Sequence, residues 1–338
     1  MTKFKKVISV YCLMVVLCFV SGCASEQIMP AKTVTKGGLA ISVSQEQSFD
    51  TVNLIQKSQG GKFLTYIQLS NRGESNLSLN VIAVLDGKQI SFDLDNQSKK
   101  YYHQVDLPPN ETIKLPLKIN EQALTHDLHW LQLIAITCPE NDRFYSSLHM
   151  GNRIWIKDKD EEPDNFKLPE NIVNNYALQG DDIKTVENPK DFGGFTFHPD
   201  GKNLEEIKKD RKKEQFFYTT VYDFEAEGDQ ISGRLYYLQP SDLHYKKYLI
   251  IMTIDNQPAS FYKKKNGLLL SPQGRSIIEI PFDIDITGLQ KGSHVMNFFA
   301  IAEPDLAITD RDSDAIQRGH VLPPDDVEFS GNILVKCP

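Results

Sequence analysis

Two stretches of this chain are nearly alike: HWLQLIAITCPE (His129–Glu140) and HVMNFFAIAEPD (His294–Asp305). Each begins with a histidine, continues through an apolar run that contains Ala-Ile, and ends near a proline. Short apolar runs rich in β-branched and aromatic residues and bounded by turn residues are typical of buried β-strands. Repetition of one strand sequence indicates that the chain contains two copies of one domain.

Three further pairs of blocks occur in the same order in both halves of the chain. They are VIAVLDGKQISF (Val81–Phe92) with IIMTIDNQPASF (Ile250–Phe261), IKLPLKI (Ile113–Ile119) with IEIPFDI (Ile278–Ile284), and GNRIWIK from Gly151 with GNILVKC from Gly331. Loops of unequal length separate the blocks. We therefore predict a divergent internal duplication.

The repeated unit has the sequence pattern of an antiparallel β-domain. In TIKLPLKI (112–119) the apolar residues alternate with lysines and a proline, which predicts a strand with one buried face and one solvated face. Asp86-Gly87 lies between two apolar runs, and both positions tolerate positive φ, so a hairpin turn is expected there. About seven short strands in about 120 residues are typical of an immunoglobulin-like or fibronectin-III-like sandwich.

The order of a proline-led turn, an xIxLPLxI strand and an HxLxL strand resembles the late strands of bacterial fibronectin-III-like and adhesion-type Ig domains. This resemblance implies an all-β fold with two tandem β-sandwiches. We place the domains at 39–158 and 215–338, joined by a long, charged connector at 159–214. The first sandwich would begin with LAISVSQ and FLTYIQLS, and the second with QFFYTTVYDF and ISGRLYYLQ.

The N-terminus carries an export signal. Three lysines precede an apolar stretch, Val7–Val20, which is too short to cross a bilayer but matches a signal sequence. The following Val20-Ser21-Gly22-Cys23 resembles the lipobox of bacterial lipoproteins. That resemblance implies a signal peptide at 1–22, cleavage before Cys23, lipid on its thiol, and a tether at 23–38. The expected location is the extracytoplasmic face of the cell membrane, held there by the lipid.

Charge and cysteine content restrict the partners. The chain has a net charge of −8, and loss of residues 1–22 removes three lysines and no acid, leaving −11. Nucleic acid is excluded as a partner because its phosphates require clustered basic residues. Export would permit a Cys138–Cys337 disulfide, but the two thiols belong to different copies and Cys138 has Glu303 as its repeat partner. The bond is therefore not predicted.

His129 and His294 occupy equivalent positions at the start of the repeated strand. Each could serve as a metal-binding residue or as a catalytic base, repeated in the two copies. We favour a structural hydrogen bond at the sandwich corner, because catalytic residues are seldom kept in both copies of a duplication.

The second copy has a longer final loop, with 27 residue steps from Pro304 to Gly331 against 12 from Pro139 to Gly151. The candidate partner-binding residues in this loop are Asp310, Asp312, Asp314, His320, Asp325 and Asp326. Asp-x-Asp-x-Asp resembles the start of a calcium loop, but Ala315 replaces the required glycine and no closing glutamate follows. We predict an exposed acidic loop that contacts a partner, and no metal site.

No catalytic or cofactor-binding motif occurs in the sequence: His-Glu-x-x-His, Gly-x-Ser-x-Gly, phosphate loops and zinc-spaced cysteines are all missing. The expected function is that of a membrane-anchored binding or structural module, whose partner is an envelope protein or a glycan. The alternative is an envelope enzyme or an accessory subunit, with its chemistry in the connector or in the loop of the second sandwich.

Overall fold

The computed structural model describes twelve segments of the chain, and the account below concerns these alone. They are residues 38–49, 54–59, 61–119, 124, 128–138, 149–157, 176–187, 194–199, 223–239, 245–272, 276–306 and 327–338. Within them the chain forms 23 β-strands and no helix. No helix in this part of the chain is therefore long and apolar enough to span a membrane.

The first sandwich consists of eleven strands. They are β1 (Leu39–Ser44), β2 (Ile55–Lys57), β3 (Phe63–Asn71), β4 (Leu77–Leu85), β5 (Lys88–Ile90), β6 (Phe92–Leu94), β7 (Gln97–Lys100), β8 (Tyr102–Leu107), β9 (Thr112–Ile119), β10 (Leu128–Thr137) and β11 (His149–Lys157). Its outer sheet has the order β1-β3-β9-β6-β7, and its inner sheet the order β2-β11-β10-β4-β5 with β8 also on β4.

The second sandwich consists of the remaining twelve strands. They are β12 (Tyr176–Leu178), β13 (Lys184–Glu187), β14 (Gly194–His198), β15 (Asp223–Glu225), β16 (Gln230–Leu238), β17 (Tyr248–Ile254), β18 (Gln257–Ala259), β19 (Gly267–Leu270), β20 (Ser276–Asp285), β21 (Gly292–Ala302), β22 (Val327–Phe329) and β23 (Ile333–Cys337). Its inner sheet has the order β12-β19-β17-β21-β23-β15, with β18 on β17 and β22 on β21, and its outer sheet the order β13-β20-β16-β14.

The predicted all-β fold with two sandwiches is therefore confirmed. Strand β9 alternates as expected, with Leu117 and Ile119 buried and Lys114 and Lys118 exposed. The hairpin turn is also present, since Asp86 and Gly87 have φ of 47° and 83°. The divergent duplication stays a prediction, although the repeated blocks form corresponding strands in the two sandwiches.

The predicted connector requires a correction. Three of its segments, β12, β13 and β14, are strands of the second sandwich, which pair with β19, β20 and β16. Phe195 and Phe197, both in β14, are buried in the core of that sandwich. The second sandwich therefore begins well before Gln215. These strands are short and separated by charged residues, so their sequence resembles a linker.

A third hydrophobic core lies between the two inner sheets, in addition to the core inside each sandwich. We call it the seam. It contains Leu54, Ile82, Val84, Leu128, Trp130, Ile134, Ile136 and Trp155 from the first sandwich, and Leu249, Ile251, Phe299, Ile301 and Val327 from the second. Both sandwiches belong to one compact unit, Thr33–Pro338. The described strands thus form four stacked layers, in which both inner sheets are covered on both faces.

Equivalent repeat positions meet across the seam. Ile82 and Ile251 both contribute to it, as do Ile134 with Phe299. A surface that packs on its own equivalent is the arrangement of a two-fold dimer. Here the two surfaces belong to one chain.

Candidate functional site

Each sandwich contains a hairpin turn that is bonded to the neighbouring strand through one aspartate. In the first sandwich, His129 Nδ1 donates to Asp86 Oδ2 at 2.5 Å, and the backbone N–H of Trp130 donates to Asp86 Oδ1 at 2.9 Å. Both side chains are almost completely buried. The carboxylate therefore fixes the turn after β4 to the start of β10.

The second sandwich repeats this arrangement at equivalent residues. His294 Nδ1 donates to Asp255 Oδ2 at 2.6 Å, and the N–H of Val295 donates to Asp255 Oδ1 at 2.9 Å. The other ring nitrogen of His294 donates to the Gln290 carbonyl at 2.7 Å. Both partners are hydrogen-bond acceptors, which favours the protonated ring. The hydrogen bond to Asp255 raises the pKa of His294 above its ordinary value.

These contacts confirm the structural interpretation of the two histidines. Each ring holds a turn, and both nitrogens of His294 are occupied by its own chain. The imidazole of His294 is therefore not available as a base. The difference between the two sandwiches lies in exposure: Asp86 has a side-chain exposure of 3%, whereas Asp255 is 47% exposed at the edge of the seam.

The strand register shows which residues of the final strands are equivalent. His129 pairs with Ile156, and His294 pairs with Val335. Counting back along both strands equates Arg153 with Asn332. Alignment of the GNRIWIK and GNILVKC blocks by their glycines is thus shifted by one residue, because it equates Arg153 with Ile333.

Arg153 fills one end of the seam. Its Nε donates to Gln132 Oε1 at 2.9 Å within the first sandwich, while Nη2 and Nη1 donate across the seam to the carbonyls of Ala302 and Glu303 at 2.7 and 3.1 Å. The guanidinium also lies 4.9 Å from the ring centre of Trp130. Arg153 is only 1% exposed. A charge buried so deeply is tolerated because it is fully engaged with oxygens and an aromatic face.

The equivalent end of the seam is an open cleft of about 370 Å³. Asn332 stands in the place of Arg153 and bonds to Asn297 of its own sandwich at 2.9 Å, as Arg153 does to Gln132. Val295 stands in the place of Trp130. These shorter side chains leave space between the two sandwiches. The cleft is lined by Asn80, Tyr102, Ile136 and Thr137 from the first sandwich and by Asp255, Asn256, Ser293, His294, Val295 and Asn332 from the second.

The cleft is the candidate functional site, because polar groups from two sheets converge on one cavity there. Amide, hydroxyl and carboxylate groups line it, which suits hydrogen bonding to a polar or charged guest. In the segments described, no group of three or more histidine, cysteine, aspartate or glutamate side chains is arranged to hold a metal ion.

The residues named from sequence lie mostly elsewhere. Cys23 and the acidic loop residues, Asp310, Asp312, Asp314, His320, Asp325 and Asp326, fall outside the described residues, so their predicted roles stay predictions. Cys138 and Cys337 are free thiols. Burial raises the pKa of both thiols.

The sequence analysis missed Arg153, Asn332 and Asn80 as site residues. An arginine in the apolar strand MGNRIWIK (150–157) is the one signal that was available, since lone charges in buried strands require a partner. That partner is a pair of backbone carbonyls about 150 residues away. Backbone acceptors carry no sequence signature.

The comparisons with known proteins give a fold similarity alone. No family model matches the chain, and no curated protein has a significantly similar sequence. Similar solved structures include the Salmonella enterica SafA pilin in complex with the SafB chaperone (10% identity, TM-score 0.25, 80% of this chain and 94% of that chain). Others are a FixG-related protein from Vibrio parahaemolyticus (10%, 0.25, 37% and 99%) and PapD-like domain 7 of human CEP192 (9%, 0.24, 39% and 94%).

Proposed function

We propose that this protein is a lipid-anchored binding module of the bacterial cell envelope, which presents two fused β-sandwiches at the extracytoplasmic face of the membrane. The observation that carries the binding role is the seam: it is plugged at one end by Arg153 and open at the other as a polar cleft. The lipobox at Cys23 supports the anchoring.

The seam suits a binding role because it makes the cleft rigid. Its two walls come from separate sandwiches, yet both are fixed by the third core and by bonds across it. Gln89 Nε2 donates to the Asn256 carbonyl at 2.7 Å, and Trp155 Nε1 donates to the Leu306 carbonyl at 3.1 Å. A preformed cleft loses little conformational entropy when a guest binds.

Anchoring is tested by metabolic labelling with a fatty acid. The wild-type protein is expected to incorporate the label and to sediment with membranes, whereas Cys23→Ala is expected to accumulate as an unlabelled precursor. Cys138→Ala is the matched control and should label like the wild type. Wild-type protein that takes up no lipid would contradict the anchoring.

Binding is tested by crosslinking in intact cells. A photoreactive residue at Tyr102, which lines the cleft, is expected to give a discrete adduct. The same residue at Leu64, which is 42% exposed on the outer sheet, is the control and should not give that adduct. Adduct formation of equal strength at both positions, or at neither, would count against binding at the cleft.

A further inference from the structure

We propose that the open cleft binds a guanidinium group, carried by an arginine side chain of an envelope partner or by a small molecule of the same chemistry. This inference rests on the proposed binding function and names the guest chemistry of that cleft. It follows from the way the chain fills the other end of its own seam.

Arg153 is an internal precedent for such a guest. Its guanidinium leaves the first sandwich and binds two carbonyls of the second, that of Ala302 at the end of β21 and that of Glu303 directly after it. The same seam therefore accommodates a buried guanidinium at a position that is equivalent to the open cleft. Planar guanidinium groups suit such sites, because their fixed N–H groups reach several acceptors together.

Both acceptors have equivalents in the first sandwich, and one of these lines the open cleft. Strand β10 pairs Thr137 with Leu79 as β21 pairs Ala302 with Tyr248, so Thr137 corresponds to Ala302 and Cys138 to Glu303. Thr137 lines the cleft opposite Asn332. A carbonyl oxygen has two lone pairs, so a strand carbonyl that is already bonded within its sheet can still accept from a guest.

At one position where equivalent residues differ between the two ends of the seam, the open cleft has the more polar side chain. Leu249, beside the plugged end, is replaced at the equivalent position by Asn80, which lines the cleft. Its amide oxygen is an additional acceptor. The cleft retains an apolar wall at Ile136 and Val295, against which the methylenes of an arginine side chain can pack.

The cleft offers an exposed carboxylate to a cationic guest. Asp255 and His294 form a pair whose carboxylate is the more exposed partner, at 47% against 11%. The His294 ring is already bonded to Asp255 and to the Gln290 carbonyl. The net charge of the chain is −8, so its long-range field also attracts cations.

The test uses the protein purified from cells in detergent and N-acetyl-arginine amide as the probe, with binding measured by calorimetry. Saturable binding is expected, and the citrulline analogue, a neutral isostere, should bind at least about tenfold more weakly, as for the loss of one charge-assisted contact. An arginine flanked by glycines in a short peptide serves as a second probe. Tighter binding of the peptide identifies a partner's side chain as the guest, and equal binding identifies a small molecule.

Two variants, with one control, test whether the probe binds in the cleft. Asn332→Arg puts a guanidinium where Arg153 lies in the other copy and should abolish probe binding, whereas Ser98→Arg, on an exposed strand, should bind like the wild type. Asn80→Asp adds a carboxylate to the cleft wall and should tighten binding about threefold or more, which misfolding would not produce.

Absence of saturable binding to the wild type, or binding that Asn332→Arg leaves unchanged, overturns the inference. If the wild-type protein still incorporates lipid and still gives the Tyr102 adduct in cells, the proposed function stands and only the guest chemistry is wrong. If both the adduct and the lipid are missing, the proposed function has failed.

Discussion

Phe298 and Phe299 of β21 provide a direct test of the four-layer arrangement. They are neighbours in sequence, both are 0% exposed, and they point to opposite faces of one sheet. Phe298 lies in the core of the second sandwich, edge-on to Phe261 at 5.5 Å. Phe299 lies in the seam, stacked on Phe329 at 5.2 Å. Each substitution to alanine is expected to lower the free energy of unfolding by about 3–5 kcal/mol, the usual cost of removing a packed phenylalanine.

The two substitutions would differ greatly if the sandwiches were independent. Phe299 would then face water, and its removal would change the free energy of unfolding by at most about 0.5 kcal/mol. Urea unfolding of the full-length protein, followed by tryptophan fluorescence, measures the difference. Both tryptophans, Trp130 and Trp155, lie in the seam and report on its integrity. If Phe299→Ala were as stable as the wild type while Phe298→Ala was destabilised, the packing of the two sandwiches against each other would be refuted.

Three further outcomes are expected. Arg153→Met should lower the free energy of unfolding by about 3 kcal/mol, because the carbonyls of Ala302 and Glu303 lose a charged donor. A decrease of less than about 0.5 kcal/mol, measured by urea unfolding, would contradict the role of Arg153 in closing the seam. The pKa of His294 is raised above 6.5 by Asp255, so its contribution to stability is complete below that pH and is lost as the pH rises through the raised value. His294→Gln should flatten this part of the stability profile, and an unchanged profile would exclude the role. Burial raises the pKa of Cys138 and Cys337, so iodoacetamide should modify both more slowly at neutral pH than it modifies a free cysteine, and equal rates by mass spectrometry would contradict their burial.

The strands and turns of each sandwich were predictable because they depend on local sequence. Alternation in TIKLPLKI identified a half-buried strand, and Asp86-Gly87 identified a turn whose residues have positive φ. Repetition of these signals at fixed order then gave two sandwiches. The roles of His129 and His294 followed from the same repetition, because one position kept in both copies indicated a structural hydrogen bond.

The short strands of the second sandwich show where local patterns were insufficient. Strand β14, GFTFH, has buried phenylalanines but only five residues, and charged segments surround it. Its pairing with β16 stabilises it, and that partner lies more than thirty residues later. Sequence patterning alone therefore assigned it to a connector.

The sequence by itself determined the all-β class and the two sandwiches, since each depends on residue type at short spacing, and it indicated a structural hydrogen bond for His129 and His294 without naming the aspartate partners. The apolar run of β10 indicated a buried strand, without indicating which surfaces cover it. Only the tertiary structure decided that the two inner sheets cover each other and that Arg153 closes one end of the seam while Asn332 leaves the other end open. The physical reason is that packing between sheets has no period in sequence and that the carbonyls that hold Arg153 belong to the backbone, which every residue shares.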